Sequence, residues 1–224
     1  MSTKTRGDKG ESLVKKRLGT IKEYHRIIND ATFVNEKSEM THQIDHILIH
    51  PHGVFVIETK NYYGEIISNT GEPFWIKVIK GERTRISNPL KQNKSHAVIV
   101  NRILNKKYDV IPVVVFVKNN APYMGDENVI NLKDLILFIN SYPFERLLEK
   151  KEIDEIYKTI KSNTSDVSKK EHVQNIEYLK QIRKEIQDEI SYAIESGTCP
   201  RCDHKMIVNG YSYRCSHCDF KFKL

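Results

Sequence analysis

The chain has 224 residues, 39% of them hydrophobic, and 36 Lys and Arg against 29 Asp and Glu give it a formal net charge of +7. That length holds one core domain and a small appendage, and no apolar run approaches the ~20 residues of a membrane span, so no membrane partner is expected. All four cysteines lie beyond residue 198, which excludes a secreted scaffold stapled throughout by disulfides; the basic balance favours nucleic acid as the partner.

The opening MSTKTRGDKGES has no apolar stretch of the signal-peptide kind, so a cytoplasmic location is expected. GDKGESLVKKRL, residues 7–18, predicts a helix with Glu11, Val14 and Leu18 on one face. Two apolar runs in QIDHILIHPHGVFVIETKN, Gln43–Asn61, predict a hairpin around the Pro51–Gly53 turn. GEIISN (64–69) and PFWIKVI (73–79) predict further strands, the latter ending in a turn at KGER. NPLKQNKSHAVIVNRILNKK is a helix with Asn88 as N-cap and Pro89 at its first position. VIPVVVFVK (110–118) suits a strand covered on both faces, and residues 132–139 and 144–160 suit helices. This order predicts an α/β domain, a mixed sheet flanked by helices, over residues 1–162. A helical linker is expected over 163–196. Its helix, 167–196, carries an apolar stripe of Ile176, Leu179, Ile182, Ile186, Ile190 and Ala193, suited to packing on the main domain or to a homodimer contact.

The hairpin poses a chemical problem. With its tip at Pro51–His52, Ile49 faces Val54, Ile47 faces Val56 and Asp45 faces Glu58. Lys60 falls on the same face as Glu58, and Phe55 and Ile57 on the other. Two carboxylates side by side at the end of an apolar face repel each other unless a cation or protons compensate. Neutralisation by Lys60 at an exposed sheet end is one solution. A divalent ion held by hard oxygen ligands, Mg²⁺ or Mn²⁺, is the better one.

Asp followed by Glu-x-Lys on the next strand resembles the PD-(D/E)xK, restriction-endonuclease-like nucleases. The longer run QIDH, GVFVIETKN, YGEI and NPLKQN, in that order, resembles the NERD family, the nuclease-related domain. The resemblance implies a restriction-endonuclease-like α/β core and divalent-metal-dependent cleavage of DNA phosphodiesters. It implies Asp45, Glu58 and Lys60 as the central motif, with Asp45 and Glu58 as metal ligands, Glu11 completing the metal site and Gln92 as the glutamine of the NPLxQ helix. His96 lies four residues from Gln92 on the same helix face and is a candidate to touch the nucleic acid.

Residues 197–224 form a second motif. Cys199 and Cys202 make one CxxC knuckle and Cys215 and Cys218 another, a spacing that fits a closed tetrahedral Zn²⁺ site. The segment resembles the zinc ribbon appended to topoisomerases. Arg201, Lys205, Arg214 and Tyr213 surround the knuckles and suit phosphates and stacked bases. The sequence therefore predicts a metal-dependent deoxyribonuclease tethered to a nucleic-acid-binding ribbon. The alternative is a non-cleaving DNA-binding or protein-interaction module with a nuclease-like fold.

Overall fold

A computed structural model of the chain describes residues 3–34, 40–68, 71–123, 125 and 127–224. It divides into two compact units, residues 1–169 and 170–224.

The first unit begins with helix α1 (Thr3–Leu18), followed by strands β1 (Arg26–Val34), β2 (Thr41–His50) and β3 (Gly53–Lys60). Strands β4 (Glu65–Ile67), β5 (Phe74–Ile79) and β6 (Glu82–Ser87) make a small antiparallel sheet of their own. Helix α2 (Pro89–Ile103) then leads to β7 (Val110–Phe116), β8 (Val129–Asn131), α3 (Leu135–Ser141) and α4 (Lys150–Ser162). The main sheet has the order β1-β2-β3-β7-β8. Its first two pairings are antiparallel and its last two parallel.

The apolar runs explain which strands lie in the middle. Val54–Ile57 of β3 and Val113–Phe116 of β7 are buried on both faces, as parallel strands covered by helices require. On one face Ile47, Ile49, Val54 and Val56 pack with Ala97 and Val100 of α2 and Ile153 and Ile156 of α4. On the other, Leu48, Phe55 and Ile57 pack with Val14 and Leu18 of α1 and Leu135 and Ile139 of α3. The chain is thus a mixed α/β fold with its sheet flanked by helices.

Local elements depart from the sequence expectation in several places, beyond the short unpredicted strands β8 (Val129–Asn131) and β11 (Lys221–Lys223). The edge strand β1 is added; its alternation is interrupted at Asp30, which has a left-handed φ of 52°. The polar ERTRIS segment pairs with β5 as β6 although none of its residues is buried. The helix expected from residue 144 starts at Lys150, because Leu148 donates its N–H to the Pro51 carbonyl at 2.8 Å and Glu149 and Glu152 cap the helix start reciprocally. Asn69, the last residue of the expected 64–69 strand, lies outside the described residues.

The second unit contains α5 (Lys169–Ser196) from its second residue onward and a three-stranded antiparallel sheet, β9 (Met206–Asn209), β10 (Ser212–Cys215) and β11 (Lys221–Lys223), in the order β11-β10-β9. Its core is small: Ala193, Cys199, Met206, Cys215 and Phe220 are buried together.

Candidate active site and cysteine cluster

The β2–β3 hairpin has the register that its alternation dictates, with Ile49 opposite Val54 and Ile47 opposite Val56. The ladder ends at His46–Ile57, one pair before Asp45 would face Glu58. Asp45 instead turns a carboxylate oxygen to the backbone, where Oδ2 accepts the Thr59 N–H at 2.7 Å. The β1–β2 register also steps over this position: it sets Asn29 opposite His46 and Ala31 opposite Ile44, with Asp30 and Asp45 between them. The sheet is therefore opened at Asp45 on both sides, which replaces a direct acid–acid pairing with a carboxylate bound to a backbone donor.

Glu58 is 4% exposed. Its Oε1 accepts a hydrogen bond from Lys60 Nζ at 2.6 Å, and its Oε2 lies 3.6 Å from His96 Nδ1. Lys60 Nζ also donates to Gln92 Oε1 at 3.4 Å. Burial pushes the Asp45 carboxyl well above the usual range, and the charges of Glu58 and Glu11 add to that push, more than the Thr59 N–H and Lys60 offset. Burial alone would lower the Lys60 ammonium, but the Glu58 carboxylate beside it raises it above its ordinary value, so Lys60 stays charged at neutral pH.

Helix α2 brings Gln92 and His96 to this point. Asn88 caps it, its side chain accepting from the N–H groups of Leu90 and Lys91 at 2.9 and 3.3 Å. Asn93, which the sequence reading passed over, fixes its seat on the sheet: the buried Asn93 Nδ2 donates to the carbonyls of Val56 and Val113, both at 2.9 Å. Its position four before Ala97 and seven before Val100, on the helix's apolar face, is the signal that could have found it. His42 is a second addition, its ring 6.4 Å from that of His96, edge to face; burial pushes its imidazole down.

Glu11 reaches the site from α1. The helix can approach β3 because residue 10 is glycine; a Cβ there would lie 2.9 Å from Asn61 Cβ and 3.3 Å from Thr59 Cγ2. Asn61 Nδ2 donates to the Arg6 carbonyl at 2.8 Å and ties the start of α1 to the end of β3. The structure thus gathers Asp45, Glu58, Lys60, Gln92 and His96, with Glu11 close enough for its charge to act on Asp45. Three carboxylates stand against one ammonium at the end of β3, with Asp45 forced toward its neutral form.

In the second unit, the thiol sulfurs of Cys199, Cys202, Cys215 and Cys218 all lie within 4.8 Å of one another. None is in a disulfide. Cys215 Sγ accepts the N–H groups of Cys218 and His217, both at 3.3 Å, and these lower its thiol to about 6. The His204 N–H favours the Cys202 thiolate, but burial and the three neighbouring thiols outweigh it and push Cys202 up to about 12. Four sulfurs this close cannot all ionise without a cation, and four thiolates fit tetrahedral zinc. His204 and His217 stand outside the cluster, stacked on each other at 4.1 Å.

The four expected nucleic-acid contacts of this unit have different surroundings. Tyr213 stacks on Phe222 at 4.7 Å and lines a groove with Arg214, Lys221 and Lys223. Lys205 is exposed. Arg201 is engaged internally, paired with Glu189 at 3.2 Å and lying over the Phe220 ring.

The nuclease-related domain (NERD) family matches residues 6–117, the span from α1 through β7 that carries every residue of the cluster around Glu58. An uncharacterized protein of Bacillus anthracis is 32% identical over 179 residues, covering 76% of this chain and 83% of the relative. No solved structure matches the chain. The chain belongs to the NERD family. Among the described residues, no helix is long and apolar enough to cross a membrane.

Proposed function

We propose that the protein is a divalent-metal-dependent nuclease that hydrolyses DNA phosphodiesters at the Asp45, Glu58 and Lys60 site, with the cysteine ribbon of residues 197–224 holding nucleic acid. The observation that carries the reading is the charge imbalance at the end of β3: Asp45, the buried Glu58 and Glu11 gathered beside one permanently charged lysine, on a chain of the nuclease-related family.

A Mg²⁺ or Mn²⁺ held at this site would supply a water of lowered pKa and offset charge on the scissile phosphate. Asp45 and Glu58 are the residues that would hold it, with Glu11 as the third acid. Lys60 stays protonated, so its part is to donate to oxygen and stabilise developing negative charge. Gln92 accepts from Lys60 and holds its ammonium in place. In the ribbon, Cys199, Cys202, Cys215 and Cys218 would hold zinc, which would fix the strands that carry Tyr213 and Arg214.

The test is incubation of the full chain with plasmid and linear DNA, with and without Mg²⁺ or Mn²⁺, beside Glu58→Gln prepared identically. Cleavage that requires the ion and disappears in the variant is expected. DNA binding without cleavage under every ion would replace this reading with that of a non-cleaving DNA-binding module. Neither binding nor cleavage would leave a protein-interaction role.

A further inference from the structure

Three residues beyond Lys60 the chain displays Tyr63 on a tightly held loop. Asn120 Nδ2 donates to the carbonyls of Tyr62 and Gly64, at 3.1 and 2.7 Å. Gly64 has φ +86°, and a Cβ there would lie 2.0 Å from the Val78 oxygen, so the turn admits no other residue. Tyr62 packs inward near Phe116, ring edge to face at 6.3 Å, while Tyr63 is 49% exposed.

Two cations converge on the Tyr63 ring from distant parts of the sequence. Arg6, on α1, sits 5.3 Å from the ring centroid, and Lys118, just past β7, sits 4.6 Å from it. Among the described residues neither lies within ion-pair distance of a carboxylate. The Tyr63 hydroxyl is held below its ordinary pKa, first by its hydrogen bond with Lys118 and that residue's charge, and further by Arg6 and Lys9. Two like charges brought together repel; the ring's negative face offsets part of that cost. What the arrangement lacks is an anion.

Its place supplies one. Arg6 precedes Glu11 by five residues on α1, about 7.5 Å along the axis at 1.5 Å per residue, the scale of a nucleotide or two of backbone. Asn61 ties Arg6 to the end of β3. We infer that Arg6, Lys118 and Tyr63 form a phosphate clamp that holds the backbone of the DNA strand a nucleotide or two away from the scissile phosphate. The clamp reads charge and spacing, carries no base information, and makes the enzyme's grip sequence-independent. It rests on the nuclease reading for its location, but its test is binding, not hydrolysis.

The experiment measures binding of a labelled single strand and a labelled duplex to the full chain, without added divalent ions, across several salt concentrations. The variants are Arg6→Gln, Lys118→Gln, Tyr63→Leu and Tyr63→Phe, with Lys158→Gln on α4 as the charge-matched control. Each lost phosphate contact lowers the slope of log affinity against log salt by about 0.7 on a single strand or 0.9 on a duplex. Arg6→Gln and Lys118→Gln should each show that drop, and Tyr63→Leu should show part of both. Tyr63→Phe keeps the ring and should retain most of the slope. Melting temperatures identify any variant that fails to fold, and Arg6→Gln and Lys118→Gln, altered only at the surface, keep the test decisive. Slopes that match Lys158→Gln in both cation variants overturn the clamp, even if the protein cleaves DNA. The expected slopes with no cleavage under any ion would uphold the clamp and remove the hydrolytic reading.

Discussion

The acid–lysine site at the end of β3 rests on a sheet whose central strands are buried on both faces, whereas the four thiols rest on a core of five residues, two of which belong to the cysteine cluster itself. The first site is placed by apolar packing and by Asn93 and Asp45, which bond to backbone groups before any ion arrives. The second has almost nothing to fold around once its ion is removed, since so small a core cannot offset the chain's ordering entropy. Both sites gather negative charge, and under the proposed function both hold a cation, but only in the ribbon is the cation expected to supply the folding energy.

The largest expected effect breaks the comparison from the ribbon side. Structural zinc contributes about 10–16 kcal/mol in small four-ligand modules. Chelation, or Cys215→Ser, should unfold residues 197–224 and leave residues 1–169 folded. Limited proteolysis with a metal assay checks this: cleavage should begin beyond Ser196 as zinc is lost, with the melting of the first unit unchanged. A tail that stays protected without metal would refute the contrast.

The opposite result is expected at the sheet. Asp45→Asn keeps an acceptor for the Thr59 N–H and removes one of the crowded charges, so cleavage should fall by roughly 10³-fold or more, the loss of several kcal/mol of charge stabilisation, while the ion-free protein becomes more stable. The sign follows from burial and the Glu58 and Glu11 charges, which raise the Asp45 carboxyl. A raised acid contributes stability that is full below its unfolded pKa of about 3.9 and is lost as pH rises through its folded value. Wild type should therefore lose stability relative to Asp45→Asn as pH rises above about 4, and added Mg²⁺ or Mn²⁺ should restore it in wild type alone. Parallel denaturation curves for the two proteins at every pH would show that Asp45 is not strained by its neighbours.

Acid separates the two units by a different route. His50 is fully buried, and burial, then His52, hold its imidazole down to about 4. Between about 4 and 6.5 the unfolded chain binds the extra proton, so the first unit should lose on the order of 3 kcal/mol as pH falls through that window. His50→Gln should flatten the loss. The ribbon is acid-sensitive too, because its thiolates must be deprotonated to hold metal. Denaturation midpoints of chelator-treated protein isolate the His50 part, and a loss that persists in His50→Gln would assign it elsewhere.

The two regions were unequally legible in the sequence. The cysteine pairs declare themselves because each knuckle's thiols are three residues apart and need only local geometry. The hairpin register was legible for a similar reason: alternation and a short turn fix which residues oppose. Asp45's hold on Thr59 was not, because it depends on a side chain displacing a ladder bond that the pattern would assign to backbone. Asn93 was marked by its place on the apolar face of α2, but its partners were not legible, being carbonyls of β3 and β7, 37 and 20 residues away. Strand β1 was hidden by the Asn29–Asp30 break, whose left-handed residue stands where the β2 ladder opens at Asp45.

The smallest expected effect on stability asks whether the sheet site is as closely placed as its supports imply. Gly10→Ala adds a methyl group 2.9 Å from Asn61 Cβ and 3.3 Å from Thr59 Cγ2, so α1 must lift from β3. Alanine contributes about 1 kcal/mol of helix propensity over glycine, and overpacking costs about 1–3 kcal/mol. The net loss should be about 0–2 kcal/mol, a melting shift of a few degrees for a unit this size. Glu11, the next residue on the helix, moves with it. A displacement approaching 1 Å costs up to about 10²-fold in rate, so cleavage should fall much further than stability and resemble the defect of Glu11→Gln. Gly10→Ala and Glu11→Gln should also weaken Mg²⁺ or Mn²⁺ binding in parallel, read by titration of the ion against stability. If Gly10→Ala lowers the melting temperature by many degrees while the remaining folded protein cleaves at the wild-type rate, the close approach of α1 serves packing alone and Glu11 lies outside the reacting centre.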